Sequence, residues 1–391
     1  MNALIVGGGI GGLTAAIALR MRGWDVSVFE QAPALTEIGA GLQISPNGWR
    51  VLEALGVAPL LAETMFEPDA IEMRLGVSGR RVFHLPIKGY AIRRWGAPYL
   101  HMHRADLIEA LALRLRQLDD SAIQTGRSVA GYTADGAVLF EDGTKEHGDL
   151  VVGADGLHSV IRRQMLGADA PRFTGNVAWR AVVPMEDLAI TPPPTACVWA
   201  GDRRHAVTTR LRAGMLANFV GIVEQPQPAP EGWQIEGSRD EAAAAFARWD
   251  PVISGLIAKA PVLNRWALFD RAPLPRWHAG RVVLLGDAAH PMLPSMAQGA
   301  VQALEDAWTL AAVLDATADR ESALQRYFDL RIARTTRIQA GSAANARLFH
   351  KASALGQVAF YGPMAVGARI APGLVHARQD WIYRHDVTQT V

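Results

Sequence analysis

Three sets of residues in this chain have the types and spacing to do chemistry. Gly7, Gly9 and Gly12 stand in a Gly-x-Gly-x-x-Gly pattern, and Glu30 follows 18 residues after Gly12. Glycines so spaced permit a sharp turn, a backbone that touches a pyrophosphate, and a helix packed close on a strand. A carboxylate at that distance accepts hydrogen bonds from ribose hydroxyls, so the set points to an adenine dinucleotide. Asp155, in Gly153-Ala154-Asp155-Gly156, sits where a strand's carboxyl end meets a nucleotide crevice; as a plain helix cap it needs no such role. Asp287, in Leu285-Gly286-Asp287-Ala288, ends another apolar run and can accept hydrogen bonds from a sugar-like hydroxyl.

These residues need elements to place them. Leu4-Ile5-Val6 runs into glycines and then small helix formers, which reads as strand 3–6, helix 11–22 and strand 25–29 in a βαβ unit. The helix N-terminus offers free N–H groups and a positive dipole end to phosphates. Arg104 stands at or just before a helix over 105–117, where a cation opposes the dipole; it meets a phosphate or carboxylate, or it lies on the surface. Residues 129–147 read as a hairpin. Alternation from about Phe173 to Val223 predicts a mostly antiparallel sheet that roofs the nucleotide part and walls a pocket. Helices 239–248 and 251–259 and a strand over 264–270 follow. After Val282–Leu285, a loop with Pro291 and Pro294 opens a helix near Gln298-Gly299-Ala300, its dipole toward the crevice. Residues 300–349 read as long helix, and the stripe Arg331, Arg334, Arg337 is a solvated face or part of a salt-bridge network. In the early loop, Gly39-Ala40-Gly41 suggests backbone lying close against something flat or bulky.

Composition narrows the class. At 391 residues, half of them hydrophobic and a fifth charged, the chain suits one large α/β unit or two interleaved domains with a sizeable core. A net charge of +1 gives no general reason to expect nucleic acid or an anionic membrane. The single cysteine, Cys197, excludes an internal disulfide framework and a cysteine metal cluster, and reads as a small apolar residue. No stretch reaches the apolar length of a membrane span, and the apolar N-terminus lacks a basic region before it. A cytoplasmic protein with no metal site is expected.

The Gly7–Gly12 turn, the Gly153–Gly156 stretch and Leu285-Gly286-Asp287-Ala288-Ala289-His290-Pro291, in that order, resemble the single-component FAD-dependent aromatic hydroxylases of the para-hydroxybenzoate hydroxylase type. Glu30-Gln31-Ala32-Pro33, Gly39-Ala40-Gly41 and the tail Asp380–Val387 are similar to the salicylate, 3-hydroxybenzoate and 6-hydroxynicotinate hydroxylase branch. The resemblance implies an α/β fold: a Rossmann-like FAD-binding domain (GR2-type), an interleaved, mostly antiparallel β-sheet substrate domain, and C-terminal helices. The expected segments are 1–72, 100–171 and 275–345 for FAD, 73–99 and 172–274 for substrate, and 346–391 as a C-terminal helical piece.

Carried over by residue, it implies that Gly9, Gly11 and Gly12 pack on the FAD pyrophosphate and that Glu30, with Gln31 beside it, holds the adenosine ribose. Arg104 touches the cofactor, Val129 meets the adenine end by its backbone, and Asp155 serves both FAD and nicotinamide binding. Asp287 reaches the ribityl or pyrophosphate region, Gly299 and Ala300 present N–H groups to the flavin, and the loop from Gly39 to Gln43 lies along flavin and substrate. NADH or NADPH would be the co-substrate, and oxygen would reach a small aromatic or heteroaromatic substrate through a flavin hydroperoxide. His205 matches a histidine beside the substrate hydroxyl and is the candidate base; a lone histidine can also be structural. His290 reads as a structural neighbour of the flavin loop. Gln43, Thr209, Pro294 and Ser295 are expected around the substrate. Relatives often carry tyrosine or histidine at the position of Thr209, and 6-hydroxynicotinate hydroxylases carry histidine at those of Ser295 and Gln43. A monomer or homodimer is expected. The alternatives are a larger apolar substrate, such as a quinone precursor or natural product, a plain NAD dehydrogenase, or a non-catalytic FAD-binding protein.

Overall fold

Near-continuous apolar runs make a buried parallel sheet, and that sheet is the floor on which the molecule is built. The computed structural model describes all residues except 36–39, 169–170, 228–234, 351–353 and 391, so Gly39 of the early loop lies outside the described residues. The chain opens β1 (Asn2–Val6), α1 (Ile10–Arg20), β2 (Asp25–Glu30), β3 (Gly41–Ile44) and α2 (Pro46–Ala54). Next come β4 (Ala70–Leu75), β5 (Arg81–Pro86), α3 (Tyr90–Trp95), β6 (Leu100–His103), α4 (Arg104–Leu118) and β7 (Ile123–Thr125). A small meander of β8 (Val129–Tyr132), β9 (Ala137–Phe140) and β10 (Lys145–His147) precedes β11 (Leu150–Gly153) and α5 (Val160–Leu166). The roof holds β12 (Arg172–Pro184), β13 (Ala196–Gly201), β14 (Arg204–Leu211), β15 (Leu216–Glu224), α6 (Arg239–Ala245), α7 (Pro251–Lys259) and β16 (Asn264–Asp270). The chain then returns through β17 (His278–Ala279) and β18 (Val282–Leu284) to α8 (Gly299–Ala316), α9 (Arg320–Phe349), α10 (Ala354–Ile370), α11 (Pro372–Ala377) and α12 (Asp380–Tyr383).

The floor sheet has the order β17-β18-β11-β1-β2-β7, parallel from β18 to β7. Helix α1 is buried along most of its length and packs against α4 and α8. The roof sheet has the order β16-β12-β15-β14-β13-β4-β5 and is antiparallel except where β4 pairs β13. β4, which contains residue 72, lies wholly in this roof. One roof face buries Trp179, Trp199 and Phe219 under Phe246, Trp249 and Ile253 of the α6–α7 region. Side chains alternate across a strand, so the opposite face carries His205, Val207 and Thr209 of β14 beside Val220 and Ile222 of β15.

Two expectations change. Gly41–Gln43, read as loop, belongs to β3, which pairs antiparallel with β6. A Cβ on Gly41 would stand 2.6 Å from Asn218 Cγ, so the small residue there answers the close approach of the roof. The long helix over 300–349 is two helices, because Asp319 caps a new N-terminus by accepting from Ser322 N–H at 2.9 Å. Among the described residues, no helix is long and apolar enough to cross a membrane.

His101, wholly buried between Phe66 and Tyr99, gives the fold a pH signature. Burial lowers its imidazole from 6.5 to about 3, against a weaker raising by a backbone hydrogen bond with Arg210. The unfolded chain binds this proton first, so the stabilisation is complete above about 6.5 and is lost as pH falls toward about 3. His101→Phe should flatten the loss of unfolding free energy between pH 7 and pH 4; parallel curves for variant and wild type would contradict this.

Candidate active site

A cavity of about 590 Å³ lies where the floor and the roof meet. At its floor end, β1 turns at Gly7 (φ +109°), a conformation that strains any side chain. The glycines that follow the turn do different work. A Cβ on Gly12 would lie 2.0 Å from Gly7 O, and one on Gly11 2.7 Å from Leu285 Cδ1, so these two glycines let α1 close on the sheet. A Cβ on Gly9 would meet no protein atom within 4 Å, and Gly9 borders the cavity, so space is reserved there for something other than protein. Gly9 is also the N-cap of α1, with no capping side chain and no acid in the first turn, which leaves an anion-binding helix end.

Glu30 ends β2 and accepts from Gly8 N–H at 2.8 Å and from Ala32 N–H at 2.9 Å, which fixes the carboxylate beside the turn. Gln31 follows in an exposed bend, and Val129 begins β8 opposite Phe140. Asp155 accepts from Ser159 Oγ at 2.5 Å and Ile161 N–H at 3.1 Å, so both oxygens are committed to the start of α5. Its neighbours Ala154, Gly156 and His158 line the cavity, whereas Gly12, Glu30, Gln31, Val129 and Asp155 do not.

Further along, Arg104 opens α4 at the cavity wall, its N–H donating to Ala40 O at 2.8 Å. Asp287 is exposed to the cavity yet ringed by protein, and that crowding raises its carboxyl above the usual range while His290 and Arg104 oppose the shift. Helix α8 begins at Gly299 with no side-chain cap and no acid in its first turn, and Gly299 and Ala300 border the cavity. Two uncapped helix ends therefore face one space. The residues present fit an elongated, phosphate-bearing dinucleotide whose far end gains from a positive dipole.

Beneath α8 lies a polar network that sequence reasoning left open. Arg331 is buried and Arg334 half-buried, and both face carboxylates rather than solvent. Arg331 donates to Glu305 Oε2 at 2.5 Å, Asp306 Oδ1 at 2.7 Å and Gln302 Oε1 at 2.6 Å. Asp306 also holds His290 at 2.5 Å and accepts from Gly286 N–H at 2.9 Å, which fixes the loop that presents Asp287. Glu305 accepts from Asn47 at 2.6 Å and from Arg334, which reaches the carbonyls of Trp381 and Ile382. Burial alone would raise the Glu305 carboxyl; Arg331 and Arg334 instead hold it well below the usual range.

On the substrate side, His205, Thr209, Gln43, Pro294 and Ser295 all border the cavity. Gln43 accepts from Tyr99 OH at 2.5 Å, Thr209 accepts from Asn218 Nδ2 at 3.2 Å, and Ser295 donates to the carbonyl of Ser342. His205 is fully buried, and burial with the neighbouring His350 pushes its imidazole well below 6.5, so it stands neutral at neutral pH. Arg180 and Asn218, not singled out from sequence, also line the wall. The strand alternation held the signal for Arg180, since Trp179 faces α6–α7 and its neighbour must face the cavity.

Comparison with known proteins agrees with this geometry. Residues 1–342 match the family described as FAD binding domain. The 3-amino-4-hydroxybenzoate 2-monooxygenase PtnB3 of Streptomyces platensis is 38% identical over 351 residues, 88% of each chain. The 6-hydroxynicotinate 3-monooxygenase of Bordetella bronchiseptica is 36% identical over 343 residues, 86% of this chain and 88% of the relative. The structure of Klebsiella pneumoniae HpxO complexed with FAD and uric acid superposes with a TM-score of 0.84 at 30% identity, covering 96% of both chains. The chain is therefore an FAD-binding enzyme and belongs to the family of FAD-dependent monooxygenases that act on small aromatic and heteroaromatic compounds.

Proposed function

We propose that this enzyme hydroxylates a small phenolic or heteroaromatic acid, using O₂ and NADH or NADPH. The observation that carries the reading is one cavity with uncapped helix ends and a glycine cradle at one side and a neutral, buried imidazole at the other. Bound FAD supplies the redox chemistry that activates O₂. Gly9, Gly11, Gly12, Arg104, Asp287, Gly299 and Ala300 would hold it, with Glu30, Gln31, Val129 and Asp155 supporting its adenine half or the turns around it. The segments 1–69, 100–171 and 275–345 would serve the cofactor, and 70–99, with the whole of β4, and 172–274 the substrate.

On this reading the roof excludes water, Arg180 offers a cation to a substrate carboxylate, and Gln43, Thr209 and Ser295 set the polar pattern around the ring. His205 takes the ring hydroxyl's proton and so makes the ring more electron-rich as oxygen is delivered. A cytoplasmic setting and assembly as monomer or homodimer belong to the same proposal.

His205→Ala should keep its FAD and lower product formation by about 100-fold, the usual scale for a positioned base. Cofactor absorbance and product per nicotinamide oxidised are the measurements. An unchanged hydroxylation rate would remove His205 from the reaction.

A further inference from the structure

Three side chains in contact join the cavity wall to the protein surface. His205 Nδ1 lies 2.6 Å from Nε2 of His350, the C-cap of α9. His350 Nδ1 lies 2.8 Å from Oε1 of Glu224, the last residue of β15. Exposure rises along this line: His205 is 0% exposed, the His350 side chain 4% and the Glu224 side chain 35%. Glu224 and His350 also line a second hollow with Arg203 and Arg347. Helix α9 reaches this side because Ala343 and Ala346 pack on the roof face that carries Ile222 and Trp266.

The carboxylate dictates where the protons sit. Glu224 can only accept, so His350 carries its proton on Nδ1, and neutral His350 accepts at Nε2. His205 must then donate from Nδ1, which leaves Nε2 as a bare lone pair. That Nε2 is buried with no hydrogen-bond partner among the described residues, and His205 stands on the strand face that borders the cavity. The tautomer of His205, and with it the bare Nε2, thus follows from a carboxylate at the surface.

We propose that His205, His350 and Glu224 form a proton relay that takes up the substrate's hydroxyl proton and exchanges it with solvent; the proposal rests on the hydroxylase reading above. The substrate O–H bond breaks and its electron pair stays on oxygen. The proton joins His205 Nε2 as the Nδ1 proton of His205 passes to His350 Nε2 and the Nδ1 proton of His350 passes to Glu224. The relay runs backward when the product oxygen regains a proton, which restores both tautomers. Burial keeps both imidazoles below their ordinary value, His350 lowering His205 further while Glu224 draws His350 up. The other charges nearby are Arg204, which opposes protonation of His350, Arg203, paired with Glu224 at 3.2 Å, Arg347 at the second hollow, and Arg180 on the cavity wall.

Nitrogen-15 histidine NMR of the FAD-loaded protein at pH 7.5, assigned with His205→Gln and His350→Gln, reads the wiring without any substrate. The relay requires His205 and His350 protonated at Nδ1 and bare at Nε2; a proton on Nε2 of either one overturns it. Glu224→Gln keeps an acceptor for His350 but cannot take a proton. It should slow hydroxylation by about tenfold or more with FAD content unchanged, and Glu224→Asp should recover most of the rate. A Gln variant at the wild-type rate means Glu224 is merely structural and overturns the relay. The substrates are a panel of hydroxybenzoates and 6-hydroxynicotinate. If the wild type hydroxylates none, the hydroxylase reading falls, while the histidine spectrum still rules on the wiring.

Discussion

Arg331→Met lowers unfolding stability at pH 7.5 by about 3–5 kcal/mol, the cost of stripping one partner from a buried ionic cluster. Arg331 is 1% exposed and spans Glu305 and Asp306, both fully buried. Burial lowers the arginine's pKa, but the two carboxylates outweigh it and hold the guanidinium well above its ordinary value. Without it, among the described residues, Asp306 keeps only His290 and the Gly286 N–H, and Glu305 keeps Arg334 and Asn47. The gap between variant and wild type should narrow toward pH 5, because stranded carboxylates can neutralise themselves by taking protons. Denaturant midpoints at both pH values are the measurement. Equal midpoints at pH 7.5 would mean that the cluster adds nothing to the fold.

The second large effect separates two glycines in one motif. Gly12→Ala places a methyl 2.0 Å from Gly7 O, a backbone atom that cannot move without shifting α1 off the sheet. That variant should fail to fold or fold without cofactor. Gly9→Ala meets nothing in the protein and has an ordinary extended conformation (φ −77°), so its fold should be intact. Its methyl would instead occupy the space where a pyrophosphate meets the end of α1, lowering FAD affinity by about tenfold or more, equivalent to ~1.4 kcal/mol. Circular dichroism reads the fold and flavin absorbance after gel filtration reads the cofactor. A Gly9→Ala protein that keeps FAD as tightly as wild type would contradict a cradle at that position.

What was legible in the sequence is local. The glycine turn, Glu30 and Asp287 stand out because each lies within one strand–turn–helix unit whose spacing is fixed by geometry. The alternation of β14 likewise puts His205, Val207 and Thr209 on one face, and that face borders the cavity. Three ordered motifs were enough to point to the family. What sequence hid is long-range pairing of residues that look ordinary alone. Arg331 meets Glu305 across the α8–α9 turn, and nothing in a stripe of arginines says whether carboxylates or water face it. Gly41 and Asn218 lie 177 residues apart and meet because β3 docks under the roof, so the glycine looked like a loop residue. His350 stayed invisible because its partner is 145 positions away and its helix has no periodic reason to end there.

The most direct test of aromatic hydroxylation by bound FAD is a screen of the purified, yellow protein with NADH or NADPH, O₂ and a panel of hydroxylated benzoic and nicotinic acids. One member should stimulate nicotinamide oxidation and appear as a product heavier by one oxygen atom, in a ratio approaching one product per nicotinamide oxidised. Nicotinamide oxidation that yields only hydrogen peroxide with every acid, or a colourless protein that gains no FAD on reconstitution, would contradict the assignment.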